Sequence, residues 1–126
     1  MLTQCRVHST IPAADLERAR AWYRERLGFE PIRELPGGVM YDAADGTRFV
    51  IFPSPNAGKS PNTIMGFATP DVETEVRELK ARGVVFEEYD YPTLKTVDSI
   101  ATVGPTRSAW FRDSEGNILG VVQLPE

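Results

Sequence analysis

The chain has 126 residues, 41% of them hydrophobic and 25% charged, with a formal net charge of −4 and one cysteine. That is enough chain for one modest core, or for two very small modules sharing a core. The acidic balance argues against nucleic acid, no apolar run approaches the ~20 residues of a membrane span, and a lone Cys5 forms no internal disulfide.

The N-terminus, Met1-Leu2-Thr3-Gln4-Cys5-Arg6, lacks the basic start and apolar stretch of a secretory signal. The expected compartment is therefore the cytosol. A strand is expected around His8-Ser9-Thr10-Ile11. Asp15 then caps a helix whose apolar face is Leu16, Ala19, Tyr23 and Leu27, with Gly28 as its stop. Three strand-like segments follow at 29–35, 39–43 and 47–52, punctuated by Pro36-Gly37-Gly38 and Asp45-Gly46.

Residues 54–62 read as a linker, because Pro53, Pro55 and Pro61 exclude a central strand there. Gly58-Lys59-Ser60 resembles the tail of a phosphate-binding loop. The glycine such a loop needs five residues earlier is Pro53, and no strand-loop-helix context surrounds it, so a nucleotide site is not expected.

The pattern then repeats. A strand at Ile64-Met65-Gly66-Phe67 leads to Thr69 or Asp71 as cap, a helix with Val72, Val76 and Leu79 on one face, and Gly83 as stop. The offset between the copies is 56 residues at this end. At the far end, Asp45-Gly46-Thr47 matches Glu115-Gly116-Asn117 at an offset of 70. Strands are expected at 84–89, 108–112 and 118–123. Residues 89–105 read as an unusually long loop, a candidate lid or partner contact. The fold class expected is α+β. Two paired βαβββ modules (1–53 and 63–126) form a curved eight-stranded mixed sheet around a pocket in a single domain, with the helices on the outer face.

The closing segment Trp110-Phe111-Arg112-Asp113-Ser114-Glu115-Gly116-Asn117 reads as a tight hairpin. Together with Asp15-Leu16-Glu17-Arg18-Ala19, Trp22-Tyr23 and Leu27-Gly28-Phe29, it resembles the vicinal oxygen chelate superfamily. That superfamily includes glyoxalase I, extradiol dioxygenases and fosfomycin- and bleomycin-resistance proteins. The resemblance implies a pocket with four metal-ligand positions, which fall here on His8, Val50, Ile64 and Gly120. Only His8 can bind a metal, and three protein ligands are the usual minimum. The expectation is a metal-site-degenerate member without cofactor, excluded from the metal-dependent activities of the family.

The same positions set the strand phase. The pocket-facing candidates are Arg6, His8, Thr10, Val50, Phe52, Ile64, Gly66 and Gly120, while Cys5 and Val7 face the helix as buried residues. Trp110 and Arg112 share one face of their strand, and the sequence leaves open whether that face is inward. If it is, they offer stacking and an anion contact. His8 reads either as a general acid or base or as a relic of a metal site. The function expected is metal-free binding of an unknown small molecule, in the manner of the bleomycin-resistance branch. A metal-independent lyase or isomerase using His8 is the alternative. The partners expected are that ligand and a second copy of the chain in a homodimer, with no nucleic acid and no membrane.

Overall fold

The computed structural model describes residues 1–125. Ten strands and two helices follow one another as β1 (Ser9–Ala13), α1 (Leu16–Trp22), β2 (Arg33–Leu35), β3 (Gly38–Asp42), β4 (Arg48–Pro53), β5 (Thr63–Ala68), α2 (Val72–Ala81), β6 (Asp90–Tyr91), β7 (Leu94–Val97), β8 (Ile100–Val103), β9 (Thr106–Arg112) and β10 (Ile118–Gln123). Each half of the chain runs strand, helix, then strands, as the internal repeat requires. The strands divide into two mixed sheets, ordered β1-β4-β3-β2 and β5-β10-β9-β8-β7-β6. The sheets adjoin at β1 and β5 and do not close.

The helices form where the caps are. Asp15 accepts a hydrogen bond from the Arg18 amide at 3.1 Å, and Asp71 accepts from the Thr74 amide at 3.2 Å and the Thr74 hydroxyl at 2.7 Å. Of the two residues able to cap α2, Asp71 does so, and the Thr69 hydroxyl accepts from the Asp71 amide. A π-helical turn, Tyr23–Leu27, extends α1 and ends at Gly28, whose φ of +80° suits glycine. Ala19 and Tyr23 of the first helical stretch, and Val72 and Val76 of α2, are buried against the sheets.

The apolar faces of both halves merge into one core containing Ile11, Tyr41, Ile51, Phe111 and Leu119. Phe29 joins the halves. It meets Phe49 edge-on at 5.1 Å and stacks on Phe67 at 5.9 Å. Fully burying a side chain of this size is worth about 1.5–3 kcal/mol, of which half-buried Phe29 realises a part. Val39, Tyr41, Phe49 and Ile51 are buried on one side of the first sheet, as are Ala109, Phe111, Leu119 and Val121 on one side of the second. The helices pack on that side, opposite the candidate pocket face.

Two segments differ from the sequence reading. Residues 84–89 form no regular strand. Only Phe86 bridges to Phe111, and the Glu87 amide donates to the Trp110 carbonyl at 2.8 Å. Residues 89–105 are not an irregular loop but supply β6, β7 and β8. Their hairpin turns on Asp98 and Ser99 at φ +51° and +73°, the left-handed pair a two-residue turn needs, here without glycine. The Glu88 carboxylate holds this turn, accepting from the Ser99 hydroxyl at 2.6 Å, the Ser99 amide at 3.0 Å and the Thr96 hydroxyl at 2.8 Å. These bonds hold the carboxyl of Glu88 below its usual range, that of the Ser99 hydroxyl most of all.

Candidate functional site

Pairing register fixes which side chains share the uncovered face of each sheet. In the first sheet, Val50 stands between Thr10 and Met40, and Phe52 stands beside Pro12. Their core-side neighbours Ile11, Phe49 and Ile51 are buried, so Thr10, Val50 and Phe52 point away from the helices. In the second sheet, Gly120 stands between Gly66 and Trp110, and Ile118 beside Arg112. Ala109 and Phe111 are core residues, so alternation puts Trp110 and Arg112 on the uncovered face. The orientation left open by the sequence is thereby settled.

Ile64 is a correction. Simple alternation puts it in line with Gly66. A bulge shifts the register here, so that Thr63 pairs with Ile118 and Met65 already pairs with Leu119. Ile64 is the extra residue, and it packs against the core.

Trp110 is the centre of an aromatic wall. Tyr89 meets its ring edge-on at 5.7 Å, and Tyr91 stacks on Tyr89 at 6.0 Å. Burial, and after it the charge of Glu87, raises the Tyr89 phenol, which therefore stays neutral. Asn62, Thr63, Leu94 and Ile118 complete a cavity of about 320 Å³. Tyr89 and Leu94 escaped the sequence reading because they lie in the segment taken for a loop. The two-residue spacing between Leu94-Lys95-Thr96-Val97 and Ile100-Ala101-Thr102-Val103 was the signal that could have found them. Arg112 offers less than expected. Its guanidinium donates to Glu87 at 2.9 Å and to the Gly116 carbonyl at 3.1 Å, so it is already engaged.

Arg6 and His8 precede β1 and are exposed. His8 lines a separate cavity of about 530 Å³ with Asp45, Thr47, Arg48, Gly66 and Ala68. Among the described residues, no carboxylate is bonded to its ring. Cys5 is exposed rather than buried, and Val7 is 91% exposed. Sheet pairing starts only at Ser9, so alternation before that residue buries nothing.

The donor set does not fit the metal that the family resemblance implies. Val50 and Ile64 are aliphatic. Gly120 has no side chain to offer, and the Trp110 ring packs beside it, with Cδ1 and Nε1 at 3.4 and 3.5 Å from an ideal Cβ. Among the described residues, no three His, Cys, Asp or Glu side chains are grouped to hold a metal ion.

The closing hairpin has a structural task. Buried Asp113 accepts from the Tyr23 hydroxyl at 2.7 Å, from the Glu115 and Asn117 amides at 2.9 Å each, and from Asn117 Nδ2 at 2.9 Å. Desolvation, and after it Asp113, pushes the Tyr23 phenol well above its ordinary value, so it remains a donor. Asn117 also donates to the Pro12 carbonyl at 2.8 Å and accepts from the Gly58 amide at 3.0 Å. A Cβ on Gly58 would stand 2.5 Å from the Glu115 carbonyl. The glycine that suggested a phosphate loop is thus there to let two turns touch, and its amide is taken. Glu115 grips Arg18 with two hydrogen bonds of 2.8 and 2.9 Å and accepts from the Asp15 amide at 2.8 Å.

A model of the Glyoxalase/Bleomycin resistance protein/Dioxygenase superfamily matches residues 6–121. No curated protein sequence matches the chain. Among solved structures, the chain is similar to UcmS2, with 20% identity over 94% of this chain and 98% of that one, at a TM-score of 0.74. It is similar to TnmS3, an antibiotic binding protein from Streptomyces sp. CB03234, with 22% identity over 97% and 98% and a TM-score of 0.72. A glyoxalase/bleomycin resistance protein from Catenulispora acidiphila DSM 44928 aligns with 20% identity over 97% and 100%, at a TM-score of 0.69. At such identities the likeness is one of fold.

Proposed function

Because the chain belongs to the glyoxalase/bleomycin resistance protein/dioxygenase superfamily, we propose that it binds a small organic molecule on the uncovered face of the second sheet and performs this without a metal. The observation that carries this reading is the cavity at Trp110. An indole, the Tyr89 ring and two aliphatic side chains surround a few polar groups, the composition of a small-molecule site. The antibiotic binding of TnmS3 agrees with a sequestering role. A second copy of the chain is the proposed cover. Val50 and Phe52 leave apolar surface on the first sheet that an antiparallel or dyad-related partner could lay over the Trp110 cavity. A cytosolic setting is part of the same proposal.

The lyase or isomerase alternative, with His8 as acid or base, has less to rest on. His8 is exposed, has no orienting carboxylate, and lies in a different cavity from Trp110.

The test is a thermal-shift screen with bleomycin and a panel of aromatic and aliphatic small molecules, followed by titration of each hit into wild type, Trp110→Ala and His8→Ala. The expected result is a hit weakened by about tenfold or more in Trp110→Ala, since an aromatic anchor commonly contributes about 2 kcal/mol or more. His8→Ala should change affinity by under about 1 kcal/mol. Hits indifferent to Trp110→Ala would overturn the location. Turnover of a hit that vanishes in His8→Ala would favour the enzyme.

A further inference from the structure

The second sheet is wider than its helix. α2 packs on β9 and β10, and β7 and β8 continue past it, Ile100 still buried at the edge of the core and Val97 beyond it exposed. The result is a groove of about 860 Å³ between the flank of α2 and the β7–β8 hairpin. It lies on the opposite side of the sheet from Trp110, because Val97, Ile100, Thr102 and Arg107 alternate in phase with core-facing Ala109.

Two features of this groove stand together. Its floor is apolar: Val76, Ile100 and Val97, the last 67% exposed although it belongs to a sheet face. Its rim is cationic: Arg77, Lys80, Lys95 and Arg107, against only Glu73 and Asp98. The excess is two positive charges in a chain whose total is −4. Glu73 is already consumed by Arg107 at 2.7 Å. Lys95 approaches Asp90 only at 3.9 Å. Among the described residues, Arg77 and Lys80 have no carboxylate within 4.0 Å, although the Glu88 carboxyl senses Lys80 at longer range. Arg77 donates to the Thr74 hydroxyl at 3.4 Å and is felt by Asp71 at longer range, but neither cation is held in an ion pair among the described residues.

We infer that this groove is a second ligand site, taking a small amphipathic organic anion whose carboxylate or sulfonate lies at Arg77 and Lys80 and whose apolar body lies on Val76, Val97 and Ile100. The volume falls within the ~300–1,000 Å³ usual for small-molecule sites. An apolar floor alone would accept neutral ligands, and a cationic rim alone would attract any anion. The pair selects molecules that carry both. The inference does not depend on the Trp110 reading, since the two sites share no residue.

The probe is dodecanoate, titrated into uniformly ¹⁵N-labelled protein, with dodecanol as the neutral comparison. The expected result is saturable one-to-one binding that shifts the amides of Val76, Val97 and Ile100. It should be weakened roughly tenfold in Arg77→Gln/Lys80→Gln and several-fold on raising salt from about 50 to about 500 mM. Trp110→Ala should leave it unchanged. Both substituted cations are exposed, so the variant is expected to fold, and an unchanged far-UV spectrum checks this. Should it not fold, Val97→Ser replaces it, with the same weakening expected. Shifts confined to residues around Trp110, equal binding of dodecanol, or affinity indifferent to the substitutions would each overturn the site. So would sedimentation with phosphatidylglycerol vesicles in place of stoichiometric dodecanoate binding.

Discussion

Trp110 lies across Gly120, its indole Cδ1 and Nε1 standing 3.4 and 3.5 Å from the point a Cβ on Gly120 would occupy. A methyl group there meets ordinary contact distance, and the backbone of Gly120 is not in the left-handed region. A longer side chain must pass the indole and the Thr63 methyl, which stands at 3.4 Å. Gly120→Ala is therefore expected to change stability by under about 1 kcal/mol, whereas Gly120→Glu should cost about 1–3 kcal/mol by overpacking and push the indole into water. In a Trp22→Phe background, a red-shifted Trp110 emission reports the displacement. Equilibrium dialysis should find no stoichiometric Zn²⁺ on Gly120→Glu, because Val50 and Ile64 still offer no donor.

Asp113 is the acceptor at which the closing hairpin and α1 meet. Truncating it strands the Tyr23 hydroxyl and two backbone amides in a buried setting. Asp113→Ala is expected to destabilise the protein by about 2–4 kcal/mol, measured as a fall in urea midpoint at constant slope. Asp113→Asn, which keeps one acceptor oxygen, should lose less. Equal stability of Asp113→Ala and wild type would mean that the network contributes nothing net.

Much of this frame was legible in the sequence. Asp15, Asp71, Gly28 and Gly83 mark helix ends by local chemistry, and local chemistry survives folding. The strand-then-helix opening of each half follows the internal repeat for the same reason. What could not be read is what depends on register. The bulge at Ile64 has no sequence mark, and it alone moves that residue from the pocket face to the core. The Asp98-Ser99 turn lacks the glycine that signals a two-residue hairpin, because Glu88, eleven residues before Ser99, supplies the bonds that hold it. Exposure of Cys5 and Val7 follows from where β1 begins, a matter of which partner strand is long enough. Of the three rings of the aromatic wall only Trp110 could be read from the sequence, since Tyr89 reaches it across a segment that pairs irregularly.

The homodimer is testable apart from any ligand. Light scattering on the eluting protein at micromolar concentration is expected to give twice the 14.0 kDa of the chain. Replacing Phe52, half-buried on the uncovered face of the first sheet, by Glu should shift the population toward monomer. A monomer in wild type would remove the proposed cover from the Trp110 cavity.

Acid should find the Glu115 contact. Burial alone would raise this carboxyl. The Arg18 guanidinium, the Asp15 amide and the Ser114 hydroxyl outweigh it and hold the carboxyl below its ordinary value. A group whose folded value is depressed contributes its stability above the unfolded value, about 4.3 for Glu, and loses it as pH falls through the folded value. Stability should therefore be steady near neutrality and fall below about pH 4.3. Glu88 is depressed in the same direction through Ser99 and Thr96, and Asp71 through Thr74, so wild type carries several such contributions. Glu115→Gln removes one of them. It keeps an acceptor for the Asp15 amide but forfeits the ion pair with Arg18. The variant is expected to be less stable than wild type at pH 7 and to lose less on acidification, so that the two urea midpoints converge toward pH 3. Midpoints that stay a constant distance apart from pH 7 to pH 3 would show that the Glu115 carboxyl is not depressed in the folded protein and that Arg18 does no more than pack against it.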